Sequence, residues 1–228
     1  MESQTILCNN ENKTPEFFEI NFPFGTLIVD HDIYYRIVKD KTKVPRPYHK
    51  YKTLNCIDFC HGIVRCSIAS GRKSYSFGRL LLQPEKDQIV DHINRNPLDN
   101  RRSNLRIATV RQNTLNVIVR NSTGLRGVSI RHHRGKKQLG ASFRTANGKR
   151  LTFYISDSPS SRIICALVHD KFVIQSGDDE YAPLNFPILR NEPFRSKLLK
   201  TDISEFRKNN LEFIANKLGI SELCEKQI

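Results

Sequence analysis

The chain has 228 residues, a net charge of +14 and a pI near 9.7. That balance favours a polyanionic partner, nucleic acid or an anionic membrane surface. No run approaches the ~20 apolar residues that span a bilayer, and the N-terminus holds no apolar signal core. A soluble intracellular protein is expected, with its six scattered cysteines reduced.

Residues 1–16 are polar and are expected to form a loose leader. Phe17 to Asp30 is rich in Phe, Ile and Val, broken at Pro23 and Gly25, and predicts short strands. Asp30 to Val38 clusters Ile33, Tyr34, Ile37 and Val38 on one side, as a short helix or turn would. Lys39 to Lys52 is basic, carries Pro45 and Pro47, and reads as a loop. From Tyr51 to Leu82 the pattern turns to strands. A hairpin is expected from Ile63–Ile68 through Ser70-Gly71-Arg72-Lys73 to Tyr75 and Phe77. Cys56, Cys60, His61 and Cys66 could offer four zinc ligands within eleven residues. The paired C-x2-C knuckle spacing is missing, so a structural zinc there is not expected.

The next stretch carries the chemistry. Asp91 and His92 put a carboxylate and an imidazole side by side. An Asn- and Pro-rich loop and an Arg-rich segment follow, then Ile107 to Val117, which reads as a helix carrying Asn113. His92 suits proton transfer near neutral pH. Asp91 and the amide oxygen of Asn113 offer hard oxygen ligands. Arg101, Arg102 and Arg106 suit a polyanion laid over the site. The run DHINRNPLDNRRSNLRIATVRQNTLN resembles the HNH endonuclease motif of the homing kind. The resemblance implies a ββα-metal finger over about residues 78–118 and one divalent ion, Mg²⁺ before Mn²⁺, on Asp91 and Asn113. It also implies His92 as the base that activates water, and Asn104 as the residue that holds the loop so that His92 points at it. Where relatives often place a His, this chain has Gly78.

Between Asn100 and Ser156 there is no Asp or Glu, only basic residues, as a backbone-binding surface would have. Within it, Leu125 to Arg131, Lys137 to Thr145 and Arg150 to Ile155 predict three strands. Asn147-Gly148 marks a hairpin turn, and Arg162 to Gln175 has helical spacing. With R-G-V at Arg126–Val128, A-x-F-R at Ala141–Arg144, G-K-R at Gly148–Arg150 and N-F-P at Asn185–Pro187, this stretch resembles the Apetala or ethylene-response-factor DNA-binding domain. That family lays its sheet in the major groove, which implies DNA contacts by Arg126, Arg131, Arg144 and Arg150. The family's strand tryptophans are missing here, so no base preference is carried over. Asp202 to Leu218 has helical spacing closed by Gly219.

The expected architecture is α+β. A β-rich nuclease domain (1–119) comes first, then a three-stranded antiparallel sheet packed on one helix (120–188), then a helical tail (189–228). The expected activity is hydrolysis of phosphodiesters in double-stranded DNA, with no membrane partner. One site per chain suits a monomer that makes a single nick. The rival reading is a DNA-binding regulator that keeps a nuclease-derived fold. A structural or RNA-binding protein is a weaker third, since no single-strand stacking motif occurs.

Overall fold

Alternating apolar residues from Phe17 build the first hairpin, β1 (Phe17–Phe22) with β2 (Gly25–Asp30), and α1 (His31–Ile37) follows directly. The computed structural model describes residues 16–38, 52–68, 73–158 and 160–220. The expected leader, most of the Lys39–Lys52 loop and most of the Ser70–Lys73 turn therefore lie outside the described residues. Two units divide the chain after Asn113.

In the first unit, β3 (Leu54–Cys60), β4 (Ile63–Ile68) and β5 (Ser74–Ser76) form an antiparallel meander. The sequence reading anticipated the β4–β5 pairing. It overlooked the tight turn before it, where His61 (φ 51°) and Gly62 (φ 78°) link Cys60 to its partner Ile63. Positive φ at both central residues is the hairpin turn whose twist matches the strands. Phe77–Leu82, read as the end of the strand region, is a helix, α2. Cys66 lies in the core with Leu27, Val29, Ile33, Leu54, Val64 and Phe77, while Cys56 and Cys60 are exposed. Burial pushes the Cys66 thiol up to about 11. Among the described residues no three His, Cys, Asp or Glu side chains form a metal-binding group.

The strands β6 (Ile89–His92) and β7 (Leu105–Ala108) pair antiparallel, and α3 (Val110–Leu115) begins two residues later. Arg79 of α2 donates to the carbonyls of Pro84, Glu85 and Gln88, which ties down the loop entering β6. Gly78 is buried against β6. A Cβ there would come within 3.0 Å of Val90 Cγ1, so a histidine at this position would force the neighbour to move.

In the second unit, β8 (Val128–His133), β9 (Lys136–Arg144) and β10 (Arg150–Ser156) form an antiparallel sheet in the order β10-β9-β8. Leu125-Arg126-Gly127, expected in the first strand, lies before it. Gly127 instead takes φ 67°, Val128 N–H closes a turn onto the Leu125 carbonyl, and the strand starts at Val128. Asn147-Gly148 turns between β9 and β10 as expected, with Gly148 at φ 81°.

Helix α4 (Ser161–Gln175) is buried almost all round, because it packs on the sheet and also touches α5 (Phe194–Lys200) and α7 (Leu211–Leu218). The tail expected as one helix over 202–218 breaks at Asn209, giving α6 (Glu205–Lys208) and α7. Asn210 caps α7 by accepting from Phe213 N–H, and Gly219 (φ 79°) ends it. Leu198, Phe206, Ile214 and Leu218 join Val128, Leu139, Phe153 and Leu167 in one core. The C-terminal segment is thus part of the second unit's core. Lys171, buried on α4, donates Nζ to the carbonyls of Leu198 and Leu199 at the end of α5.

Candidate active site

Strand alternation decides what each residue of β6 meets. Asp91, 5 % exposed, stands opposite Arg106 of β7, and its Oδ2 accepts from Arg106 Nε at 2.8 Å and Nη2 at 2.6 Å. His92 ends the strand opposite Leu105. Burial lowers its basicity below the ordinary imidazole value. A hydrogen bond with the Asn100 side chain, and the carboxylates of Asp91 and Asp99, pull in the opposite direction without cancelling it. Burial thus favours the neutral imidazole over the charged form.

Between the strands, short polar side chains knit the loop together, as Asn and Asp do in turns. Asn104, 7 % exposed, accepts from Asn94 N–H (2.9 Å) and donates Nδ2 to Asn94 Oδ1 (2.9 Å) and the Asp99 carbonyl (2.8 Å). Asn94 Nδ2 in turn donates to Asp99 Oδ2 at 2.8 Å. Asn104 thus bonds both Asn94 and Asp99 of the loop, and the side chain that meets the imidazole directly is that of Asn100. Asn100 stands at a matched position of the motif run, but the sequence gives it no role beyond that of a turn residue.

The loop is also fastened to the N-terminal hairpin. Ile28 N–H donates to the Leu98 carbonyl and Asn100 N–H to the Ile28 carbonyl, so Leu98–Asn100 adds to the edge of β2. Arg102 reaches Asp30 Oδ2 (2.9 Å) and both oxygens of Asp32 (2.8 and 2.9 Å). Arg101 grips Asp99 with Nε and Nη2, at 2.8 and 2.7 Å, and lies over the Phe17 ring. Burial alone would raise the Asp99 carboxyl, but hydrogen bonds from Arg101 and Asn94 and the Arg101 charge hold it below the ordinary range. Asp30 and Asp32 carried no sequence signal linking them to residues seventy positions on. Arg101, Arg102 and Arg106 each hold a carboxylate of the chain itself.

Asn113 lies half-buried on α3, and its N–H bonds the Thr109 carbonyl. The strand pair and following helix thus carry Asp91, His92 and Asn113 in that order.

Residues 83–115 match the family model of the HNH endonuclease. The HNH segment runs from the end of α2 to the last residue of α3, and it supports reading the chain as an HNH endonuclease, with DNA as the substrate this implies. No curated protein and no solved structure matches significantly. Among the described residues no helix is long and apolar enough to cross a membrane.

The other expected DNA contacts lie outside the HNH segment. By register, Arg131, Arg144 and Arg150 fall on the face of β8–β10 turned away from the core, with Lys136, Gln138, Ser142, Thr152 and Tyr154. No strand residue on that face is acidic. Arg131 stacks over Tyr154, 3.3 Å from the ring centroid, and bonds Gln138 Oε1. Arg126 is not on this face. Its guanidinium donates to the carbonyls of Leu115 and Val117.

Proposed function

We propose that the chain is a homing-type, metal-dependent DNA endonuclease in which the first unit cuts and the second supplies affinity for duplex. The observation that carries this reading is the antiparallel β6–β7 pair running into α3, with Asp91, His92 and Asn113 in family order inside the matched span.

The donor set fits a hard divalent cation, Mg²⁺ or Mn²⁺, because it consists of a carboxylate and an amide oxygen. The Arg106 bonds to Asp91 do not preclude this, since a carboxylate carries about four lone-pair sites. Asp91 and Asn113 would hold the ion, which when bound supplies charge neutralisation at the phosphate and at the leaving 3′ oxygen. His92, its neutral form favoured by burial, takes the proton of the attacking water. Asn100 fixes the imidazole, Arg106 fixes Asp91, and Asn104 keeps the connecting loop in one shape.

For the second unit, the three-stranded sheet on one helix supports a domain like that of the ethylene-response factors, laid in the major groove through Arg131, Arg144 and Arg150. Arg101 and Arg102 keep enough accessible surface to meet a phosphate while holding their carboxylates. Arg106, with its side chain 13 % exposed, serves Asp91.

The test is incubation of the purified chain with a supercoiled plasmid library in Mg²⁺, Mn²⁺ or chelator, followed by end mapping. Metal-dependent nicks with 3′-hydroxyl ends at preferred sites are expected. Tight duplex binding with no cutting in either metal would favour the regulator reading.

A further inference from the structure

Helix α3 has six residues, too few to persist by propensity alone, and its last turn carries no basic residue. Its final carbonyls need outside donors. Arg126 provides one of them and also reaches a carbonyl just beyond the helix. Nη1 donates to the Leu115 carbonyl at 3.3 Å and Nη2 to the Val117 carbonyl, which puts a cation where the helix end is negative. The Leu115 side chain packs on the second unit's core, so the same helix end is also held by apolar contact.

The base from which this guanidinium reaches is unusually fixed. Arg126 N–H donates to Asn185 Oδ1 at 2.7 Å, and the Arg126 carbonyl accepts from Asn185 Nδ2 at 3.1 Å. Asn185 is anchored by Asp170 Oδ1, which accepts its backbone N–H at 3.0 Å and its Nδ2 at 3.1 Å, while Phe186 N–H donates to Asp170 Oδ2. Asp170 is fully buried on α4. The next residue, Gly127, sits at φ 67°, and a Cβ there would fall 1.8 Å from His169 Cδ2. Only glycine permits this turn, so the direction in which Arg126 leaves the backbone is set.

We infer that Arg126 is a clamp on α3, the helix that carries Asn113: by holding the Leu115 and Val117 carbonyls it keeps the helix wound through its last turn, in which Asn113 lies two residues before Leu115. The inference rests on the endonuclease reading above. It replaces the expected DNA contact at this position with an internal one. It also gives the R-G-V and N-F-P segments a shared task, since Asn185 of one locks the backbone of Arg126 in the other.

The test compares full-length wild type with Arg126→Ala by amide hydrogen exchange without metal, and then by plasmid nicking across a Mg²⁺ series. Exchange at the Asn113 amide and its α3 neighbours should speed up roughly tenfold, with β9 amides unchanged. Half-saturation for Mg²⁺ should rise several-fold, and the turnover rate should fall roughly tenfold. Duplex affinity should stay within about twofold, with an unchanged salt slope, because no phosphate contact is lost. Arg126→Lys, which keeps the charge and a donor, should recover part of the loss, and Arg126→Gln carries the same comparison if the alanine variant does not fold. Unaltered exchange and Mg²⁺ requirement would overturn the inference. So would weakened binding with the salt slope reduced by about 0.9, the mark of a lost phosphate contact. A wild-type chain that nicks nothing would instead sink the endonuclease reading itself.

Discussion

Asp91 and Arg106 face each other across β6 and β7, and one carboxylate oxygen takes two N–H bonds from one guanidinium. Both side chains are largely buried. Removing Arg106 would leave a buried carboxylate without its main counter-charge, which costs roughly 3–5 kcal/mol. Arg106→Ala should lower unfolding stability by about that amount in a denaturant titration, and nicking should fall with it. A loss below about 1 kcal/mol, the scale of an exposed pair, would show that the bridge contributes little.

Asn104 makes three hydrogen bonds, two of them as donor through Nδ2. Asn104→Asp keeps the shape and deletes both donors, setting a carboxylate against Asn94 Oδ1 and the Asp99 carbonyl. Each unsatisfied buried group costs about 1–3 kcal/mol. The variant should lose most of its nicking while Asn104→Ala loses less. Equal activity of the aspartate variant and wild type would remove Asn104 from the site.

Arg131, Arg144 and Arg150 share one face of the sheet, and Arg126 does not. Replacing the three with Gln should reduce the slope of log affinity against log salt by about 2.7, since each neutralised phosphate contributes about 0.9. Filter binding over a salt series measures this. A slope that stays put would move the duplex to another surface.

Cys165 is fully buried on α4, and burial pushes its thiol up to about 12. An unfolded chain releases that proton near pH 8.5, so the folded state holds it longer. The stabilisation is complete below the unfolded value and drains away as pH rises towards the folded one. Stability followed by denaturation in reductant should therefore decline from about pH 8.5 upward. The decline should be shallower in Cys165→Ala, even though that variant starts lower at pH 7. Parallel declines would contradict the burial effect.

Much of the fold was legible. The Phe17–Asp30 hairpin, the turn at Asn147-Gly148, α4 and the stop at Gly219 were all written in local pattern and turn chemistry. Legibility ended where local pattern is ambiguous. Phe77–Leu82 is a short apolar run that fits strand or helix equally, and Leu125–Gly127 looks extended until Gly127 is seen packed under His169. At the site, the order of Asp91, His92 and Asn113 was visible in one contiguous run. The tertiary partners were not. Asp30 and Asp32 clasp Arg102 from some seventy residues away, and Asn185 locks Arg126 from 59 residues away. The motif arginines read as free cations because the motif itself holds only two acidic residues, Asp91 and Asp99. Folding brings carboxylates and carbonyls to them.

The most direct measurement is plasmid nicking in Mg²⁺ by wild type and His92→Ala, with duplex affinity measured in parallel. Wild type should convert supercoiled plasmid to open circle, and the variant should bind duplex about as tightly yet leave the plasmid intact. A variant that nicks at the wild-type rate would contradict the assignment of His92 as the base.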